Sequence, residues 1–127
     1  MKISILGTGM VGNALGTKLV QKGHEVTMGS RNAKNEAAQE WAASLGKRAH
    51  TATFRDAAAF GEIVISCTGG MHSIEALESV GAEPLRGKIL IDVSIVSGQA
   101  RVRDSIMRVI PFAVLRLTVG GGTVVGV

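Results

Sequence analysis

MKISILGTGMVGNALGTKLVQKGHEVTMGSRN, residues 1–32, is the stretch whose reading decides the fold. Lys2-Ile3-Ser4-Ile5-Leu6 is a short apolar run and reads as a buried strand. Gly7-Thr8-Gly9-Met10-Val11-Gly12 follows without a gap, with the spacing G-x-G-x-x-G. The periodicity then predicts a helix from about Met10 to Lys22. Val11, Ala14, Leu15, Leu19 and Val20 are expected toward the core, and Asn13, Thr17, Lys18 and Gln21 toward solvent. Gly23 stops the helix, because glycine adopts positive φ without penalty. Glu25-Val26-Thr27-Met28 is the second strand.

Each glycine of the turn has a distinct task. Gly7 allows the tight exit from the strand, Gly9 lets a pyrophosphate approach the backbone, and Gly12 lets the helix pack closely on the sheet. The exposed N–H groups of the first helical turn, with the positive end of the helix dipole, suit an anion. A G-x-G-x-x-G alone is weak evidence. Placed between a strand and a helix inside a βαβ unit, it is a dinucleotide-binding signal. Gly7, Thr8, Gly9, Met10, Val11 and Gly12 are therefore the expected pyrophosphate cradle.

The end of the second strand separates NAD from NADP. A site for NAD places Asp or Glu there to accept from the ribose hydroxyls. Gly29-Ser30-Arg31-Asn32 stands here instead, with Lys34 close behind and no carboxylate between Glu25 and Glu36. Ser30 can donate to a phosphate oxygen, and Arg31 offers a planar fork of donors that matches a phosphate dianion. Ser30, Arg31, Asn32 and Lys34 are the expected 2′-phosphate contacts, and the expected cofactor is NADP.

With these residues in view, ILGTGMVGNALGTKLVQKGHEVTMGSRN resembles the N-terminal dinucleotide-binding domain of the deazaflavin (coenzyme F-420)-dependent NADP oxidoreductases. More distantly it is similar to the pyrroline-carboxylate reductase and ketopantoate reductase group. The resemblance continues through Trp41-Ala42-Ala43, Ile63-Val64-Ile65-Ser66 and Gly87-Lys88-Ile89-Leu90-Ile91-Asp92-Val93-Ser94, and so covers residues 1–94. It implies hydride transfer at a nicotinamide, with a deazaflavin or other small molecule as acceptor. It also implies a second domain that supplies much of the acceptor site and a homo-oligomer interface. Where the family usually has Asn-Pro after the fifth strand, this sequence has Ile95-Val96-Ser97-Gly98. An NADP-binding module without catalysis of its own is the alternative that this departure raises.

Composition bounds the rest. A chain of 127 residues fits one domain, taken as residues 1–127. Apolar residues at 46% can fill a core, and charged residues at 19% are too few for a disordered chain. Aromatic residues are only 3%, so the core must come from Val, Ile, Leu, Ala and Met. The net charge of +4 is unevenly placed. Residues 1–94 carry ten Lys/Arg and nine Asp/Glu, whereas residues 95–127 carry four Arg and one Asp. Basicity confined to the tail, with no aromatic residues interleaved for base stacking, argues against nucleic acid. No apolar run reaches the ~20 residues of a membrane helix. No signal peptide is visible, and a single cysteine fits a reducing compartment, so a cytoplasmic location is expected.

The remaining chain alternates helix and strand. A helix is expected over Ala33–Leu45, in which Trp41 packs at helical spacing from Ala37, Ala38 and Leu45. A third strand over Ala49–Thr53 and a short helix over Phe54–Phe60 follow, then a fourth strand over Glu62–Ser66. The carboxyl end of the fourth strand delivers Cys67-Thr68-Gly69-Gly70-Met71-His72. Thr68 and Gly69 are expected to touch the ribose and nicotinamide half, with Met71 and His72 near the hydride-transfer region. Cys67 has no evident base and is read as a packing residue. No metal site and no catalytic acid, base or nucleophile is assigned; catalysis would come from holding donor and acceptor in register. Ser73 is expected to cap a helix over Ile74–Val80, Pro84–Gly87 to turn, and Lys88–Val93 to form a fifth strand. Beyond it a helix over Val102–Val109, closed by Pro111, and a sixth strand over Phe112–Val119 are expected. The reading is a doubly wound, mostly parallel α/β domain of three layers, a Rossmann fold with strand order 3-2-1-4-5.

Overall fold

A computed structural model describes residues 1–69 and 72–93, and the backbone of 114–117 and 124–125. The elements run β1 (Lys2–Leu6), α1 (Met10–Gln21), β2 (Glu25–Ser30), α2 (Glu36–Leu45), β3 (Ala49–Thr53), α3 (Phe54–Phe60) and β4 (Ile63–Ser66). Then come α4 (Ser73–Val80), a 3-10 turn (Glu83–Leu85), β5 (Ile89–Asp92), β6 (Val114–Leu117) and β7 (Val124–Val125). The expected helix over Val102–Val109 and the residues Gly70, Met71 and 94–113 lie outside the described residues. Among the described residues no helix is long and apolar enough to cross a membrane.

The strands form one sheet in the order β3-β2-β1-β4-β5-β6-β7. The 3-2-1-4-5 order expected from alternating βαβ units is therefore present, extended by β6 parallel to β5 and by β7 antiparallel to β6. Successive side chains of a strand point to opposite faces, so one strand feeds two cores. Ile5 joins Val20, Val26, Met28, Ala38, Trp41 and Ala49 on the face that α1 and α2 cover. Leu6 joins Ala57, Ala58, Val64, Leu77, Val80, Leu85 and Leu90 on the face that α3 and α4 cover. Two covered faces explain why β1 is continuously apolar. Its one buried polar residue, Ser4, donates its hydroxyl to the Ala57 carbonyl of α3.

Several boundaries differ from expectation, four of them as follows. α2 begins at Glu36, three residues later than Ala33. The Asn32 side chain accepts from the Lys34 N–H (2.9 Å), and the Asn35 side chain caps the helix by accepting from the Ala38 N–H (3.0 Å). Asparagine carbonyls here compete successfully with the helix for backbone donors. β2 continues through Gly29 to Ser30, which puts Ser30 inside the sheet. α4 starts at Ser73 itself, with His72 in the cap position and no side-chain cap bond, so Ser73 is a buried first-turn residue and not the cap. Lys88 stands before β5, its ammonium donating to the Ala58 and Ala59 carbonyls (2.6 and 2.9 Å) near the end of α3. That burial lowers the Lys88 pKa.

The buried face of α1 also differs. Gly12, Gly16 and Val20 are its buried residues, with Leu15 and Leu19 partly buried beside them. Val11 is 50% exposed and Ala14 is exposed, contrary to their expected place in the core. The sequence pattern followed side-chain apolarity, whereas this helix turns its smallest residues inward. Trp41 of α2 fills the room at Gly16: it is buried, and its Nε1 donates to Thr17 Oγ1 (3.1 Å).

Candidate functional site

The carboxyl ends of the central strands are tied together by main-chain bonds. Gly7 N–H donates to Gly29 O (3.0 Å), Cys67 N–H to Leu6 O (2.8 Å) and Val93 N–H to Ser66 O (3.0 Å). The exits of β1, β2, β4 and β5 are thereby brought to one level. Strand order reverses between β1 and β4, where an open α/β sheet forms its crevice.

The glycines of the turn hold this geometry. Gly7 has φ of 119°, a conformation that side chains disfavour, and a β-carbon there would stand 2.9 Å from the Cys67 carbonyl oxygen. A β-carbon at Gly12 would come within 2.5 Å of the Gly7 carbonyl oxygen, so α1 packs directly on the turn. Gly9 is different in kind: a β-carbon there would meet nothing within 4 Å. The space over Gly9 is open, as a phosphate cradle requires. Gly9 is the residue from which α1 starts, and α1 carries no acidic residue in its first turn to oppose an anion at its positive end.

A cleft of about 420 Å³ lies against these strand ends. Of the expected residues, Gly7, Thr8, Gly9, Ser30, Arg31, Thr68 and Gly69 line it. Met10, Val11, Gly12, Asn32 and Lys34 are not on its wall. Met10 (88% exposed) and Val11 project into solvent, and Gly12 is buried under the turn. Ser30 and Asn32 act largely on the chain itself. The buried Ser30 hydroxyl donates to the Asn32 carbonyl (2.5 Å), and the Asn32 side chain holds the Lys34 N–H. Together they shape the turn that presents Arg31.

Arg31 points out of that turn and pairs with Glu75 of α4, Nη2 to Oε2 3.3 Å. A smaller pocket of about 90 Å³ includes both, with Phe54, Thr68, His72, Ala76 and Ser79. Thr68 and His72 line both this pocket and the main cleft. Asn35, Phe54 and Glu75 are wall residues that sequence reasoning missed. A lone Phe at the exit of β3 was the one available signal; Asn35 and Glu75 read simply as helix-start residues.

Cys67 also lines the cleft, with its thiol held in the protonated form. Burial, with the charge of buried Asp92 as a second cause, raises its pKa from 9.0 to about 12. The thiol therefore stays protonated at neutral pH, in keeping with a packing role.

Residues 2–95 match the sequence model of the family described as NADP oxidoreductase, coenzyme F420-dependent. Among solved structures, one from Arthrobacter sp. FB24, named provisionally as an F420-dependent NADP-reductase, is 35% identical with a TM-score of 0.76. The match covers 91% of this chain and 61% of that one. An imine reductase variant from Myxococcus stipitatus, in complex with NAD+, is 26% identical with a TM-score of 0.71, over 91% of this chain and 40% of that one. The pyrroline carboxylate reductase of Plasmodium falciparum, with NADP bound, shares the fold at 14% identity and a TM-score of 0.68, over 93% and 42%. This chain thus spans less than two thirds of the length of each of these relatives.

Proposed function

Because the chain belongs to the family of coenzyme F420-dependent NADP oxidoreductases, we propose that its cleft binds NADP(H) and serves hydride transfer to or from a deazaflavin-type or other small acceptor. Arg31 is the observation that carries the reading. It stands at the carboxyl end of β2, on the same cleft as Gly7, Thr8 and Gly9, where a site for NAD would have a carboxylate.

The residue roles follow from the chemistry of the groups present. The N–H groups at the start of α1, above the open space at Gly9, hold the pyrophosphate. The Arg31 guanidinium, on the turn that Ser30 and Asn32 shape, receives the 2′-phosphate with Lys34 nearby in sequence. The Thr68–Gly69 main chain forms the facing wall. When bound, the nicotinamide supplies the hydride chemistry. The protein contributes position, and with the Cys67 thiol protonated no covalent step is assigned to it. A second copy of the chain is the proposed protein partner.

The test is titration with NADPH and NADH, then NADPH oxidation with a deazaflavin acceptor. Binding of neither cofactor would overturn the proposal. Binding without turnover would leave an NADP-binding module.

A further inference from the structure

Arg31 does not meet an incoming ligand with its fork empty. Its Nη2 is 3.3 Å from Oε2 of Glu75, which lies 44 residues further along, in the first turn of α4. Both side chains are about two-thirds exposed, at 67% and 65%, so either can move away from the other at little cost. Both also line the pocket of about 90 Å³ that adjoins the main cleft through Thr68, Phe54 and His72. A carboxylate thus occupies one edge of the guanidinium at the place where the NADP reading puts a phosphate.

We infer that Glu75 is a specificity-determining residue for the cofactor: it holds Arg31 in the absence of ligand and competes with the 2′-phosphate for the same guanidinium edge. This inference rests on the NADP reading above. Carboxylate and phosphate oxygens are both acceptors for the same donors, so the phosphate must release Glu75 before it can use that edge. Once it is seated, the two anions repel each other across a short distance. Both effects oppose NADPH and leave NADH untouched, since NADH has no 2′-phosphate. Glu75 therefore sets how strongly the chain prefers the phosphorylated cofactor, by limiting what Arg31 delivers.

The experiment measures dissociation constants for NADPH and NADH on wild type, Glu75→Gln, Glu75→Ala, Arg31→Ala and the Arg31→Ala/Glu75→Gln double variant. Position 75 is exposed, so both substitutions there are compatible with folding. The expected result is that either Glu75 variant binds NADPH roughly two- to fivefold more tightly, the scale of a screened charge contact at an exposed site. NADH affinity stays unchanged. The gain shrinks in the Arg31→Ala background and at about 1 M salt, where screening is nearly complete. Unchanged or weakened NADPH binding would overturn the inference, the latter making Glu75 a support for Arg31. A parallel change for NADH would overturn it too, since Glu75 would then be acting on a part common to both cofactors. The two failures are separable. If wild type prefers NADPH and Arg31→Ala abolishes the preference while Glu75→Gln is silent, only the Glu75 inference falls. If wild type shows no preference, the NADP reading itself falls and takes this inference with it.

Discussion

The Trp41 indole lies so close to Gly16 that a β-carbon on Gly16 would stand 2.8 Å from Cζ2 of the ring. α1 and α2 thus interlock through a ring seated on a residue without a side chain. Gly16→Ala should destabilise the fold despite alanine's better helix propensity. Overpacking costs about 1–3 kcal/mol and the propensity gain recovers at most ~1 kcal/mol. A net loss of about 1 kcal/mol by denaturant titration is expected. Trp41→Phe, which removes the outer part of the indole that carries Cζ2, should couple favourably with Gly16→Ala in a double-mutant cycle. Additive losses would mean that the ring does not press on Gly16.

Gly9 and Gly12 should fail in different ways. Gly9 has φ of −76° and open space around it, so Gly9→Val should fold with an unchanged midpoint and lose NADPH binding. Gly12→Ala places a β-carbon 2.5 Å from the Gly7 carbonyl oxygen and should lower stability itself. Thermal melts with and without NADPH separate the two. A Gly9→Val protein that folds and binds like wild type would remove the pyrophosphate assignment.

Arg31 should act on one cofactor only. A hydrogen bond to a charged group is worth ~1.5–3 kcal/mol, and the exposure of Arg31 argues for the lower end. Arg31→Ala should therefore weaken NADPH about tenfold, since ~1.4 kcal/mol is a factor of ten, and barely alter NADH. Arg31→Asp should turn the preference toward NADH by repelling the phosphate and offering the ribose an acceptor. Equal losses for both cofactors would show that Arg31 serves the fold or the adenine instead.

Cys67 should titrate only at high pH. Its pKa rises from 9.0 to about 12 because burial and the Asp92 charge disfavour the thiolate. A group whose folded pKa is raised stabilises the native state fully below its unfolded value and loses that contribution as pH climbs toward the folded one. Stability should therefore fall between pH ~9 and ~12 in wild type, and less steeply in Cys67→Ser. Thiolate absorbance in the folded protein should stay flat below pH 9, and alkylation at neutral pH should be slow until denaturant is added. A thiolate signal near neutrality would contradict the burial argument.

What residues 1–32 determine unaided is the frame. Strand, glycine turn, helix and strand follow one another within a single βαβ unit, and local spacing alone specifies them. The apolar runs Ile63–Ser66 and Ile89–Asp92 then extend a parallel sheet, and handedness leaves few other strand orders. Arg31 at the end of β2 was legible for the same reason, being a fixed short distance from the fingerprint.

What only the tertiary structure decided are contacts between residues far apart in the chain. No periodicity in α1 announces that Gly16 faces a ring 25 positions later, because glycine leaves no apolar signal of its own. The identity of Glu75 does not disclose that it meets Arg31; the placement of α4 against α3 does. Thr68 and His72 line one pocket with Arg31, a matter of chain path and not of residue type. Local sequence fixes φ, ψ and which face is apolar, whereas these contacts depend on how finished elements settle against one another. The open glycine turn at Gly9 was therefore readable in advance, and the carboxylate that pairs with Arg31 was not.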